Sequence, residues 1–557
     1  MSGLGSFDRS TSLDNLAERD FDLLVVGGGI TGVGVALDAA ARGYRTALVE
    51  RDDFASGTSS KSSKLVHGGL RYLQQGEVGL VYQALAERQR LRRNAPHLVK
   101  VLPFLIPLFT KDGLISRKLA RAMGSAMWMY DLTGGLRIGK LHKRIDSDEA
   151  VAHMPTLRRD RLAGSYLYYD AQADDARLTL TVARTAAVNH GAVVVNRAGV
   201  VDITTTDGQV DGAVVRADDR DITVRAACVV NAAGVWSDQI RTMDEGHDPN
   251  SLRPAKGVHV TVPWHLVRND IAAVIPVPKD KRSVFVVPWG DLTYIGTTDT
   301  DYAGPLDDPP CTAEDIDYLL GALNGAVENE ISTDDIVGTW AGLRPLVQDA
   351  TSERTADLSR RHKVRLSDQG MITVTGGKLT TYREMAADAV DAVHDHIGDR
   401  VEGRVKRRCP TKKLPLLGAR GYETVLERAE LGDRRQIVHL ADRYGGEAEV
   451  ILAMIDRDPG LGEQLVPGLP YLRAEAVYAA RYEMVVTLDD ILARRTRARL
   501  LARDASAALA ADVAALVADD LGWDDDEQAR QVATYQALID EERAGNQLHA
   551  DPVEASS

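Results

Sequence analysis

The stretch Phe21-Asp-Leu-Leu-Val-Val-Gly-Gly-Gly-Ile-Thr-Gly32, followed by Arg45-Thr-Ala-Leu-Val-Glu50, decides the fold. Phe21–Val26 is a short apolar run, the pattern of a strand buried on both faces. Glycines follow, then a helix-forming segment from Val33 to Arg42 that stops at Gly43, then a second apolar run closing on Glu50. Strand, glycine turn, helix and strand make one βαβ unit in roughly thirty residues.

Such a unit suits a dinucleotide. Pyrophosphate needs close backbone N–H donors and a helix N-terminus to balance its charge. Gly27, Gly29 and Gly32 meet the GxGxxG spacing. Glu50 ends the second strand about twenty residues on, where an acid bonds ribose hydroxyls and disfavours a 2′-phosphate. FAD or NAD is therefore expected. Asp53-Phe-Ala-Ser-Gly-Thr-Ser-Ser-Lys-Ser-Ser-Lys-Leu-Val-His-Gly-Gly-Leu-Arg-Tyr-Leu73 comes next, and its hydroxyls, glycines and cations suit a loop along pyrophosphate and flavin.

The 557 residues allow two or three packed units. Hydrophobic residues at 44% and charged residues at 27% describe a globular chain. A net charge of −14 argues against nucleic acid as a partner and requires any anionic substrate to find a local basic patch. Cys228, Cys311 and Cys409 lack CxxC spacing, so neither a disulfide framework nor a metal cluster is expected. No apolar run reaches the roughly 18 residues of a membrane span, and Met1–Asp20 has no signal-like apolar core.

Residues 1–20 read as a flexible or loosely docked lead-in. From 21 to about 408, strands and helices alternate, with strands expected at Ala192–Val195, Cys228–Asn231, Val284–Pro288, Thr293–Gly296 and Met371–Thr375. Residues 409–545 read as helical, and 546–557 as a disordered tail.

Four blocks, Gly27–Gly32, Ser56–Leu73, Trp340-Ala-Gly-Leu-Arg-Pro-Leu346 and Gly376-Gly-Lys-Leu-Thr-Thr-Tyr-Arg383, closely resemble the FAD-dependent glycerol-3-phosphate dehydrogenases of the D-amino-acid-oxidase-like flavoproteins. Asn231-Ala-Ala-Gly-Val-Trp236, Lys256–His259 and Gly296–Asp299 support the match, as do Leu469–Leu472 and Arg481–Met484 in the helical tail. Lys61 departs from the family pattern, at a place that leaves cofactor binding intact. The resemblance implies a mixed α/β fold: a Rossmann-type FAD-binding domain interleaved with an antiparallel substrate sheet, then an all-helical C-terminal domain. It implies non-covalent FAD held by Gly27, Gly29, Ile30, Thr31, Gly32, Glu50, Arg51, Thr58, Ser59, Ser60, Ser63, Lys64, His67, Gly68, Gly69, Ala233, Gly234, Gly376, Gly377, Lys378, Leu379 and Thr380. His67 is either a flavin contact or a structural histidine.

Glycerol 3-phosphate is the substrate the resemblance implies. Its phosphate needs fixed cations, and Arg71, Arg344 and Lys378, with Tyr72 and Thr381 beside them, are the expected pocket. Oxidation removes a hydride and a hydroxyl proton. Arg344 is expected to stabilise the developing alkoxide and His259 to accept the proton.

The resemblance also implies a membrane quinone as acceptor, a cytoplasmic protein peripheral to the inner face of the membrane, and leaves a homodimer open. Val101–Phe109 and the basic, amphipathic Leu114–Asp131, with Arg117, Lys118 and Arg121, are the candidate lipid face. Its rival is an ordinary packed helix. Arg494–Arg499 is a second basic cluster or a solvated face. Alternatives are a glycerol-3-phosphate oxidase using O2, an amine or amino-acid oxidase, and a non-catalytic flavoprotein.

Overall fold

The computed structural model describes residues 7–69, 77–110, 124–125, 127–132, 134, 138–277, 282–348, 361–401, 403, 405–429 and 434–546. Phe21–Val26, buried along its whole length, lies inside an eight-stranded sheet. Thr46–Val49 and Arg220–Asn231 pair with it in parallel, flanked by Val193–Val195 and Ile372–Thr375. The apolar runs follow from this cover on both faces. The helices Ile30–Arg42, Asp175–His190 and Tyr382–Ile397 pack on one face. The hairpin Gly199–Thr206/Gln209–Ala217 and the helix Arg9–Glu18 cover the other.

That last helix corrects the expected flexible lead-in. Asp8 caps it by accepting from the Thr11 N–H at 2.8 Å, and Leu13 and Leu16 are buried. Arg9 pairs with Asp218 at 2.8 Å and donates to the carbonyls of Asn196 and Arg197. Short polar helices with two apolar anchors carry little periodic signal, which is why the sequence did not reveal it.

A second sheet of ten strands carries the reacting end. It is antiparallel except where Lys100–Phe109 runs parallel to Ala272–Pro276. Val101–Phe109, read as part of a lipid face, is this interior strand; it pairs with Leu162–Gln172 on its other edge. Its apolar character is core, not membrane. Register then places the candidate side chains: on Leu252–Pro263, His259 stands opposite Gly296 on one neighbour and Trp340 on the other, and Ala255 stands opposite Arg344.

Beyond residue 409 the described elements are helical, from Thr411–Lys413 to Asp525–Asn546. They form two apolar cores of their own, around Leu488 and around Leu440. Residues 547–557, the expected frayed end, lie outside the described residues.

Candidate functional site

A cleft of about 260 Å³, open to solvent, runs along the C-terminal ends of the parallel strands. Its lining runs from Gly27 and Glu50 past Trp236 to Gly376 and Met385, the reach of an extended ligand. Gly27, Gly29, Ile30 and Thr31 line it where Phe21–Val26 gives way to the helix Ile30–Arg42. Gly27 has φ +111°, and a Cβ there would fall 2.7 Å from the Ala232 carbonyl oxygen. Gly32 is tighter still: a Cβ would fall 1.9 Å from the Gly27 oxygen, backbone against backbone. A Cβ on Gly29 would meet Ser59 Oγ at 3.2 Å. Gly29 is the helix N-cap and offers no side-chain cap, so the dipole's positive end faces the cleft.

Glu50 closes the same wall. Its carboxylate accepts from the N–H groups of Gly28 at 2.5 Å and Asp52 at 2.8 Å. Burial nonetheless pushes its pKa up to about 7. Thr58 and Ser59 line the cleft opposite; Ser59 Oγ accepts from the Ile30 N–H at 2.9 Å, and Thr58 donates to the Leu343 carbonyl at 2.5 Å. Arg51, Ala233, Gly234, Gly376, Gly377, Lys378 and Leu379 complete the lining among the residues expected from sequence. Lys378 caps the turn Leu379–Thr381 that leads into Tyr382–Ile397.

Ser60, Ser63, Lys64, His67, Gly68, Gly69, Thr380 and Thr381 are not in the lining; they stand behind it or beyond its end. Lys64 is tied back into the protein. Its ammonium is buried against Asp175, at 3.2 Å, and over the Trp340 ring, at 4.6 Å. Burial, with Arg497 beside it, lowers its pKa to about 8. Its ammonium also donates to the Ser60 carbonyl at 3.1 Å. His67 packs edge-on to Phe285 and donates its backbone N–H to Thr380 Oγ1 at 3.2 Å. Gly68 donates to Tyr130 Oη at 3.1 Å, itself bonded to buried Asp170.

At the second sheet, His259 Nε2 bonds Ser63 Oγ at 2.8 Å and the ring stacks on Trp340 at 4.7 Å. Burial first, then the cations Lys64 and Arg344, holds its pKa well below the usual imidazole range. A buried imidazole held this low is a weak proton acceptor. Arg344 is half-buried and pairs with Asp299 at 2.8 Å, beside Thr297 Oγ1 at 3.4 Å. Arg71 and Tyr72 lie outside the described residues.

Comparison with known proteins follows this geometry along the whole chain. Residues 22–383 match the family model for FAD dependent oxidoreductases, and residues 409–528 that for the C-terminal domain of alpha-glycerophosphate oxidase. Glycerol-3-phosphate dehydrogenase 2 of Mycobacterium tuberculosis is 42% identical over 548 residues, covering 97% of this chain and 91% of that one. The chain belongs to the FAD-dependent glycerol-3-phosphate dehydrogenase family. Human mitochondrial glycerol-3-phosphate dehydrogenase is 36% identical over 564 residues, covering 95% of this chain and 74% of its own length. The X-ray structure of glycerol-3-phosphate dehydrogenase from Bacillus halodurans complexed with FAD matches at a TM-score of 0.77 and 31% identity, over 100% of both chains.

FAD is the cofactor of this dehydrogenase family, and the residues present fit it. The glycine turn leaves no room for a Cβ, an uncapped helix end faces the cleft, and an acid stands at the end of the second strand. A fourth sign went unread in the sequence. Trp236 lines the cleft, and its buried indole Nε1 has no hydrogen-bond partner among the described residues. Arg51 lies over the same ring at 5.1 Å. A buried donor without an acceptor is costly, so a polar ligand atom is expected there. The signal for Trp236 was available, since it closes the Asn231–Trp236 block. Ala198, Val200, Gln239 and Met243 also line the cleft but carry no motif; only the fold brings them in.

Proposed function

We propose that this protein oxidises sn-glycerol 3-phosphate to dihydroxyacetone phosphate at non-covalent FAD and passes the electrons to a membrane quinone. One observation carries the reading: Lys378 and Pro345 share a cleft wall with the FAD-fitting glycines, and Arg344 adjoins Pro345 with its guanidinium already fixed. Similarity to glycerol-3-phosphate dehydrogenases over nearly the full length supports it.

FAD, when bound, would supply the acceptor for the hydride that leaves the carbinol carbon, and the hydroxyl proton would leave to solvent through the open cleft. The protein does the rest. A phosphomonoester carries roughly two negative charges at neutral pH, which Lys378, and Arg71 by resemblance, would meet. Arg344 is held by Asp299, so charge developing on the carbinol oxygen meets a cation that needs no reorientation. His259, neutral, backs the site without competing charge.

Transfer to a quinone requires contact with lipid. No helix among the described residues is long and apolar enough to cross a membrane. A surface patch suits peripheral contact at the cytoplasmic face: Trp128 is 54% and Leu132 71% exposed, with exposed Met129 and Leu141 nearby in sequence. Exposed Lys140, Lys143 and Arg144 flank Leu141, and Trp128 packs edge-on to His142 at 5.1 Å. Arg117, Lys118 and Arg121, the cations expected there, lie outside the described residues. Apolar anchors ringed by cations are what an anionic bilayer surface recruits.

Anaerobic mixing with glycerol 3-phosphate should bleach the flavin absorbance, and a soluble quinone should restore it. No bleaching overturns the substrate. Stoichiometric peroxide at full speed in air without quinone overturns the acceptor in favour of an oxidase.

A further inference from the structure

The loop that lines the cleft is suspended between two points, and the C-terminal domain holds both. Ser56, Gly57, Thr58 and Ser59 face the cleft. Before them, Asp53 is fully buried and receives Arg495 through two bonds, at 2.6 and 2.8 Å, and Arg494 at 2.7 Å. Burial opposes the charge on Asp53, but these two cations keep its pKa below the ordinary range. After them, Arg497, 1% exposed, donates to the Ser60 carbonyl at 3.0 Å and to Asp175.

Asp175 passes that hold on. It accepts from the Ser62 N–H at 3.0 Å, from Ser62 Oγ at 2.7 Å and from Lys64. Lys64 has φ +56°, a strained region for a residue with a Cβ, which persists only where surroundings over-determine it. Its ion pair with Asp175 does so. From this segment the contacts reach the reacting end directly: Ser63 Oγ to His259, the Trp340 indole N–H to the Ser62 carbonyl at 3.2 Å, and Tyr294 Oη to the Ser63 carbonyl at 2.9 Å. Arg494 and Arg495 are neighbours in sequence, and an ordinary helix would splay them by about 100°. They lie in a π-turn, Asp490–Arg495, and both reach Asp53; such turns recur at functional sites.

We infer that Arg497, together with Arg494 and Arg495, is a positioning element of the flavin site: the C-terminal domain sets the cleft-lining loop, and through it FAD retention. These arginines touch neither cofactor nor substrate in this reading. They act on the backbone of Asp53–Lys64, and the claim does not depend on which alcohol is oxidised or which acceptor is used.

The test measures FAD affinity on the full-length protein. Apoprotein of Arg497→Ala and Arg497→Lys is titrated with FAD by fluorescence quenching, and apo and holo melting temperatures are recorded. Arg184→Met is the comparison, because Arg184 forms a largely buried interdomain pair, bonding Glu447 and Tyr478 rather than the loop. Arg497→Ala should weaken FAD binding at least tenfold and shrink the melting shift that FAD confers. Arg497→Lys, which keeps the charge but not the bond to Ser60, should fall between alanine and wild type. Arg184→Met should lower both melting temperatures and leave FAD affinity as it was. If Arg497→Ala does not fold, Arg497→Lys carries the test alone. Wild-type FAD affinity in every Arg497 variant that folds, with equal loss of apo and holo stability, would overturn the proposal and leave the arginines as ordinary interdomain ties.

Discussion

Changing the charge on Glu50 should change how FAD binding responds to pH. In the apoprotein its carboxyl titrates near pH 7, because burial outweighs the two backbone N–H bonds it accepts. The sign follows from linkage: a folded pKa raised above the unfolded value near 4.5 gives stability that is complete below 4.5 and lost as pH rises through 7. The charged form is thus the disfavoured one until ribose hydroxyls donate to it. FAD binding should then release a proton at pH 6 and almost none at pH 8. With a titration near 7, the apparent affinity falls about tenfold between pH 8 and pH 6. Glu50→Gln has no proton to release, so its affinity should be flat over that range. It should also be weaker at pH 8 by roughly tenfold or more, since a charge-assisted hydrogen bond contributes about 1.5–3 kcal/mol. Titration of apoprotein with FAD at pH 6, 7 and 8, followed by flavin fluorescence quenching, gives both numbers. A flat wild-type profile, or a slope retained in Glu50→Gln, would refute the assignment of Glu50 to the ribose.

Other changes separate the parts of the site. Gly32→Ala sets a Cβ 1.9 Å from the Gly27 oxygen, so purified protein should carry no flavin absorbance while its far-UV circular dichroism stays close to wild type. Arg344→Lys should slow flavin bleaching at saturating glycerol 3-phosphate by on the order of a hundredfold, with FAD content unchanged; unaltered bleaching removes Arg344 from the chemistry. Trp128→Glu combined with Leu132→Glu should cut sedimentation with anionic liposomes and spare dye-coupled activity, and undiminished sedimentation would move the lipid face elsewhere. Acid precipitation should leave all flavin in the supernatant, since the attachment is non-covalent.

The βαβ unit was legible because its signals agree: apolar runs, glycines at fixed spacing and a terminal acid all arise from one local structure. Val101–Phe109 was misread because a strand buried on both faces and a lipid-facing segment share an apolar composition; Pro103 and Pro107 disguised it further, and only its pairing to Leu162–Gln172 decides. Lys64 and His259 lie in recognisable motifs, yet a motif does not say which way a side chain turns. Lys64 turns inward because Asp175, 111 residues away in sequence, waits there. His259 loses its basicity to burial and to Lys64 and Arg344, which is a property of the packed site and not of the residue. The Arg494–Arg499 cluster misled for the same reason: beyond the adjacent Asp489 and Asp490, its acids Asp53, Asp175 and Glu542 sit in other parts of the chain.

Those partners explain how an acidic chain deploys its arginines. Arg177, Arg184, Arg495 and Arg497 are among the largest fully buried side chains, and each pairs with an acid distant in sequence: Glu483, Glu447, Asp53 and Asp175. Being neutral as pairs, they leave the surface with the net charge of −14, so anions must be drawn by local donors such as the helix end at Gly29, not by the field of the whole molecule. Stability alone does not account for the pairs. Well-packed apolar residues in their place are often as stable or more so, whereas removing one partner of a buried pair costs about 3–5 kcal/mol. Direction is what they add. An apolar face tolerates sliding by a fraction of a residue; a guanidinium bonded to Asp53 or to the Ser60 carbonyl does not. All four pairs join the flavin-binding part to the C-terminal helices, and two of the four arginines bond the loop beside the cleft, Arg495 at Asp53 and Arg497 at the Ser60 carbonyl, so the docking that the charges specify is the one that sets the cofactor's wall.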